Sequence, residues 1–192
     1  MNEVTILVIT ITILIIFYYY NKKDICYLKS SVDENFYLVR NVKDKEKASY
    51  IIGKIVQDLK RLTKYCKDNI KKFPKMKLYI NRMSDRIDGI VFRESSAYSP
   101  YTSYTVNKGE EMVLCLRSKR TNKIHDYNIL IYVAIHELGH VACPEIGHTK
   151  LFFLINRFLL KQAIKLNIYT YDNYNVNNKS YCGMNVGNNV LS

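Results

Sequence analysis

Ile135-His136-Glu137-Leu138-Gly139-His140-Val141-Ala142 sits at the chemical centre of this 192-residue chain. The pattern is H-E-x-x-H in an apolar run. Ile129, Leu130, Tyr132, Val133 and Ile135 lead into it, Asp126 is placed to cap a helix, and Pro144 stops it. A buried helix is therefore expected from about residue 126 through His140. In a helix, residues four apart lie one turn above each other, so His136 and His140 can reach one metal ion. Glu137, offset on the same turn, can take a proton from a water activated there and later pass it to a leaving amine. That residue set, with one Zn2+ per chain, is the pattern of a zinc-dependent hydrolase.

A third ligand is needed if a fourth position is to stay open for water. His148 is the first candidate. It follows Gly147 after a turn begun by Pro144, and Glu145 is its competitor. The longer H-E-x-x-H-x-x-G-x-x-H spacing fails, because Cys143 and Ile146 occupy its glycine and last histidine positions. Cys143 reads as a small buried apolar residue rather than a thiolate ligand.

Working outward, a final amphipathic helix is expected over about Thr149–Leu166, with Leu151, Leu154, Ile155, Phe158 and Ala163 on its apolar face. Before the motif, Tyr101–Val106 and Met112–Leu116 read as a β-hairpin joined by Asn107-Lys108-Gly109-Glu110. An extended substrate can add to such an edge by main-chain hydrogen bonds. Further upstream, Ala48, Ile52, Ile55, Leu59, Leu62, Cys66 and Ile70 recur at steps of three and four, which predicts a long helix from about Lys45 to Ile70. Phe36–Val39 suggests a short strand at the end of a tether over 23–40. The tail from Asn167 reads as mostly irregular. Its tyrosines (Tyr169, Tyr171, Tyr174, Tyr181) are candidates to stabilise an oxyanion, with packing the commoner role.

Residues 4–20 carry no charge and are rich in Ile, Leu, Val and Thr. They predict a retained transmembrane helix within 1–22 rather than a cleaved leader, which would want a basic start and a small-residue cleavage site. Tyr18-Tyr19-Tyr20 would lie at the interface, and Lys22-Lys23 would hold the body on the cytosolic or virion-interior side of a single-pass membrane protein. Five dispersed cysteines with no CxxC pair point to free thiols in a reducing compartment. The net charge is +12, and residues 43–77 hold twelve Lys/Arg against four Asp/Glu. This segment is a candidate contact for nucleic acid or anionic lipid, with a solvated helix face the plainer reading. The fold class expected is α+β: long helices on a small sheet over 41–192.

His136-Glu137-Leu138-Gly139-His140, then Gly147-His148-Thr149 with Phe152 and Phe153, resembles the SprT-like and WLM group of minimal zincins. Tyr37-Leu38-Val39-Arg40, Tyr101-Thr102-Ser103-Tyr104, Cys115-Leu116-Arg117-Ser118 and Tyr181-Cys182-Gly183-Met184 are similar to landmarks of a large-DNA-virus family of zinc metallopeptidases. The resemblance implies ligand roles for His136, His140 and His148, a base role for Glu137, and a protein or peptide substrate. The gap from His140 to His148 is longer than is usual in the WLM group. Two other functions compete with a peptidase. One is a catalytically silent virion membrane protein that keeps zinc to hold its fold. The other is a nucleic-acid tether built on the basic 43–77 helix.

Overall fold

A computed structural model describes residues 2–22 and 24–186, with the side chains of residues 19–22 left out. The expected contacts of Tyr19, Tyr20, Lys22 and Lys23 lie outside the described residues.

The architecture is α+β. A five-stranded mixed sheet runs in the order β1-β2-β3-β5-β4. Its strands are β1 (Ile25–Lys29), β2 (Phe36–Arg40), β3 (Val91–Glu94), β4 (Tyr104–Val106) and β5 (Glu111–Leu114). The outer pairs β1/β2 and β4/β5 are antiparallel, and β2, β3 and β5 run parallel. The parallel β2-to-β3 step needs a long crossover. Helices α2 (Lys45–Asp68) and α3 (Lys77–Ser84) supply it. Ala48, Ile52, Ile55, Leu59, Leu62 and Cys66 are the stripe seen in the sequence, and all are completely buried. Apolar residues of α4 (Tyr127–Ala142) and α5 (Lys150–Lys165) complete the same core. Residues 25–40, expected as a tether with one short strand, instead give the sheet two strands.

The N-terminal expectation needs correction. Glu3–Lys22 forms a 20-residue helix, α1. Yet no helix among the described residues is long and apolar enough to cross a membrane. This overturns both the transmembrane anchor at 1–22 and the single-pass membrane placement. The physical reason is reach and polarity. Seventeen uncharged residues span ~25 Å against a hydrocarbon core of ~30 Å. Thr5, Thr10 and Thr12 also set hydroxyls into the run, two of them bonded back to the Ile6 and Val8 carbonyls at 2.9 and 2.8 Å.

The expectation of free thiols is corrected in part. Cys115, just after β5, is disulfide-bonded to Cys182, 67 residues on, while Cys26, Cys66 and Cys143 are free. Cys182 and Gly183 form the two-residue turn between β6 (Lys179–Tyr181) and β7 (Met184–Val186), a second small sheet where an irregular tail was expected. Both turn residues have positive φ, 48° and 86°, as a tight hairpin of this twist requires. The disulfide ties this hairpin to the main sheet. Chain-entropy reasoning gives a crosslink of this span about 4 kcal/mol. Reduction, or a Cys115→Ser/Cys182→Ser double variant, should therefore lower the urea midpoint by a corresponding amount. An unchanged midpoint would show that the link adds no stability.

Candidate metal centre

Helix α4 begins where the sequence caps it: the Asp126 side chain accepts the Asn128 N–H at 2.9 Å. The helix carries His136 and His140 on successive turns, with ring centroids 5.1 Å apart. It ends at Ala142, Cys143 turns extended, and Pro144 follows. The chain then folds back through Gly147, whose φ of +80° is a conformation that suits glycine. Thr149 caps α5, its hydroxyl accepting the Phe152 N–H at 3.3 Å. His148 lies between that glycine and that cap, which fixes where it points. Its Nε2 comes to 2.9 Å from His136 Nε2 and 3.2 Å from His140 Nε2.

Phe152 holds the three rings in place. It stacks on His140 at 4.2 Å between centroids and meets His136 and His148 at 4.8 and 4.9 Å. Gly139 makes room for it, because a Cβ there would stand 3.2 Å from the phenyl ring. A glycine inside the motif thus has a packing reason.

The electrostatics suit a cation. Burial, reinforced by the neighbouring imidazoles, pushes His136 down to about 3. Burial, with His148 and Lys108 nearby, pushes His140 down to about 4. Both rings are therefore neutral at pH 7 and offer lone pairs. Ligand atoms of His136, His140 and His148 all lie within 4.8 Å of one another, the one such cluster among the described residues. Nitrogens at ~2.0–2.1 Å from a tetrahedral ion would be ~3.3 Å apart, close to the 2.9 and 3.2 Å found here. The residues fit a zinc ion.

Glu137 is 5% exposed. Burial pushes its carboxyl up to about 7, against the lowering effect of a hydrogen bond from Thr105. The Thr105 hydroxyl donates to Glu137 Oε2 at 3.0 Å. Glu145, the rival ligand, is engaged elsewhere: its carboxylate accepts from Thr149 Oγ1 and its carbonyl from Lys108 Nζ. Cys143 is fully buried and stands apart from the histidine cluster.

The imidazoles and Glu137 open into a cleft of about 720 Å³. One wall is Thr102–Thr105 with Asn107 and Lys108, and another is Ile146–His148 with Phe153. Tyr181, Met184, Asn185 and Val186 of the β6–β7 hairpin form a third. Of the four tail tyrosines, Tyr181 alone lines this cleft, its hydroxyl 2.6 Å from Ser103 Oγ. Tyr169 and Tyr174 pack around Tyr132 instead, and Tyr171 is half exposed. Reading the sequence missed Thr105 and the hairpin wall. The Cys182-Gly183 pair was the available hint of a turn.

The basic 43–77 segment is mostly helix α2. Several of its cations already face acids: Lys54 and Arg61 face Asp58, Lys60 faces Asp88, and Lys64 faces Asp68.

No profile of a known protein family matches the chain. It is 43% identical over 170 residues to "Uncharacterized protein R325" of Acanthamoeba polyphaga mimivirus, covering 88% of this chain and 86% of that protein. It is 32% identical over 143 residues to "Uncharacterized protein 136R" of Invertebrate iridescent virus 6, covering 73% and 75%. Among solved structures, Wss1 from Saccharomyces cerevisiae superposes with a TM-score of 0.48 at 19% identity, covering 67% of this chain and 88% of that one. A likeness that loose carries no functional argument.

Proposed function

The chain belongs to the family of large-DNA-virus proteins that includes R325 and 136R, and we propose that it is a zinc-dependent metallopeptidase of the WLM/SprT-like kind. One observation carries this reading. Three imidazoles converge at 2.9 and 3.2 Å beside a buried glutamate, in a cleft bounded by a sheet edge.

His136, His140 and His148 would hold the ion. When bound, zinc supplies a Lewis acid and brings the pKa of water toward ~7. Glu137 accepts the proton of the attacking water and returns it to the leaving amine. Burial favours that exchange, because a carboxyl tuned upward both takes and gives a proton near neutral pH. Strand β4 is the last in the sheet order and, among the described residues, is bonded only to β5. Its outer edge offers main-chain groups to an extended peptide. Tyr181 is the tyrosine we assign to the developing oxyanion, since it shares the cleft with Glu137.

The test is metal analysis paired with turnover. One zinc per chain, with cleavage of an unfolded protein substrate that stops on chelation and returns with zinc, supports a peptidase. One zinc without turnover supports the alternative of a silent, zinc-stabilised structural protein.

We also propose that the basic face of α2 contacts an anionic polymer such as nucleic acid. Its partial neutralisation by Asp58, Asp68 and Asp88 predicts weak binding with a steep salt dependence, since each neutralised phosphate releases counterions. Changing Lys60, Arg61, Lys64 and Lys67 of α2, with Lys71 in the turn that follows it, to Gln should flatten the slope of log affinity against log salt. Absence of binding to labelled duplex or single-stranded DNA at low salt would leave this face simply solvated.

A further inference from the structure

We infer that Thr105 is the positioning residue for Glu137, and that edge strand β4 therefore both receives the substrate and aims the base. The inference rests on the peptidase reading for what the base does, but the contact itself is on the structure. Glu137 is buried, and a buried carboxylate needs a hydrogen-bond donor. Thr105 supplies one at 3.0 Å to Oε2, and its Oγ1 also lies 3.4 Å from the Glu137 backbone carbonyl. The two residues are 32 positions apart, so the fold, not the helix, makes this pairing.

The geometry of a strand explains why the donor sits there. Alternate side chains of β4 leave opposite faces. Thr105 points at α4, while its neighbours Tyr104 and Val106 point away from that face. A β-branched residue on an extended strand has few χ1 states, so the hydroxyl is held in one direction. Glutamate has three side-chain torsions, so a directed donor narrows the positions its carboxylate can take. The same short strand carries the unpaired edge to which a peptide can add, about one strand spacing (~4.8 Å) away. The donor that aims the base and the docking edge are thus parts of one short strand, and a peptide seated on β4 is in fixed register with the Thr105 hydroxyl that holds the Glu137 carboxylate. The rest of the strand is tied in place from both ends. Ser103 Oγ accepts the Cys115 N–H at 2.9 Å, and Lys108 in the following turn donates to the Glu145 carbonyl.

This assignment separates orientation of the base from binding of the substrate. Thr105→Val keeps the shape and β-branching but removes the hydroxyl. Thr105→Ser keeps the hydroxyl. With zinc-loaded protein and a quenched-fluorescence peptide that the wild type cleaves, Thr105→Val should lower kcat by roughly 10- to 100-fold, the cost of a misplaced catalytic group. KM should stay within about twofold, since the main-chain edge is untouched. Thr105→Ser should recover most of kcat. Crystal structures of the variants add a readout that needs no turnover: Glu137 Oε2 should leave its wild-type position in Thr105→Val and hold it in Thr105→Ser. Wild-type kcat in Thr105→Val, equal damage from Ser and Val, or an unmoved carboxylate in Thr105→Val would each overturn the inference. A wild type that binds zinc but cleaves nothing would sink the peptidase reading instead, and the carboxylate position would still decide the role of Thr105.

Discussion

Glu137→Gln is expected to keep one zinc per chain and the native fold while cutting turnover by roughly 10²–10⁴-fold, the range that a positioned base contributes. The change is nearly isosteric, and none of His136, His140 and His148 is touched. Thr105 Oγ1 can still donate to the amide oxygen, so the side chain keeps its place. What is lost is the ability to accept a proton. The pH dependence follows from the same residue. Burial raises the Glu137 carboxyl to about 7, and only the deprotonated form is a base. Activity should therefore climb as pH rises through that region, and a bound dication would draw the limb lower by favouring the charged form. Comparing cleavage products of wild type and Glu137→Gln by mass spectrometry, at matched zinc content, reads both effect and substrate. Full activity in a zinc-loaded Glu137→Gln would remove the base assignment outright.

Much of this site was legible because its parts are local. His136, Glu137 and His140 lie within one turn and a half of helix, and the caps at Asp126 and Thr149 are single residues just before apolar runs. The stripe on α2 was legible because its period matches the helix. What escaped the sequence depends on contacts between distant segments. The Cys115–Cys182 link spans 67 residues, and an odd cysteine count gives no sign of which two will meet. Strands β6 and β7 have three residues each, too few for an alternation pattern to show. In β1 and β2, Tyr27 and Phe36 are 73% and 65% exposed, so apolar content did not mark the buried face. The N-terminal error has the opposite origin. Local hydropathy over residues 4–20 predicts a membrane span, whereas crossing also requires that the apolar run itself be long enough.

His148→Ala is expected to cost most of the zinc affinity, well beyond the ~10–100-fold lost with an outer partner of a ligand. It leaves two imidazoles on one helix, and a zinc site built on two protein ligands lacks the closed face that holds the ion. Glu145→Ala should leave stoichiometry near one. The structure separates the two residues clearly. His148 Nε2 meets both helix histidines, whereas the Glu145 carboxylate accepts the Thr149 hydroxyl. Losing that acceptor can loosen the turn into α5, so a modest fall in affinity from Glu145→Ala is compatible with a supporting role. Competition against a chromophoric chelator gives both affinities, and melting curves of the metal-free proteins check that neither substitution simply unfolds the domain. Wild-type zinc binding in His148→Ala, together with its loss in Glu145→Ala, would reverse the assignment. The stronger expectation rests on chain geometry: Gly147 at positive φ and the Thr149 cap bracket His148 from both sides, so its imidazole reaches the other two as a consequence of how the backbone turns.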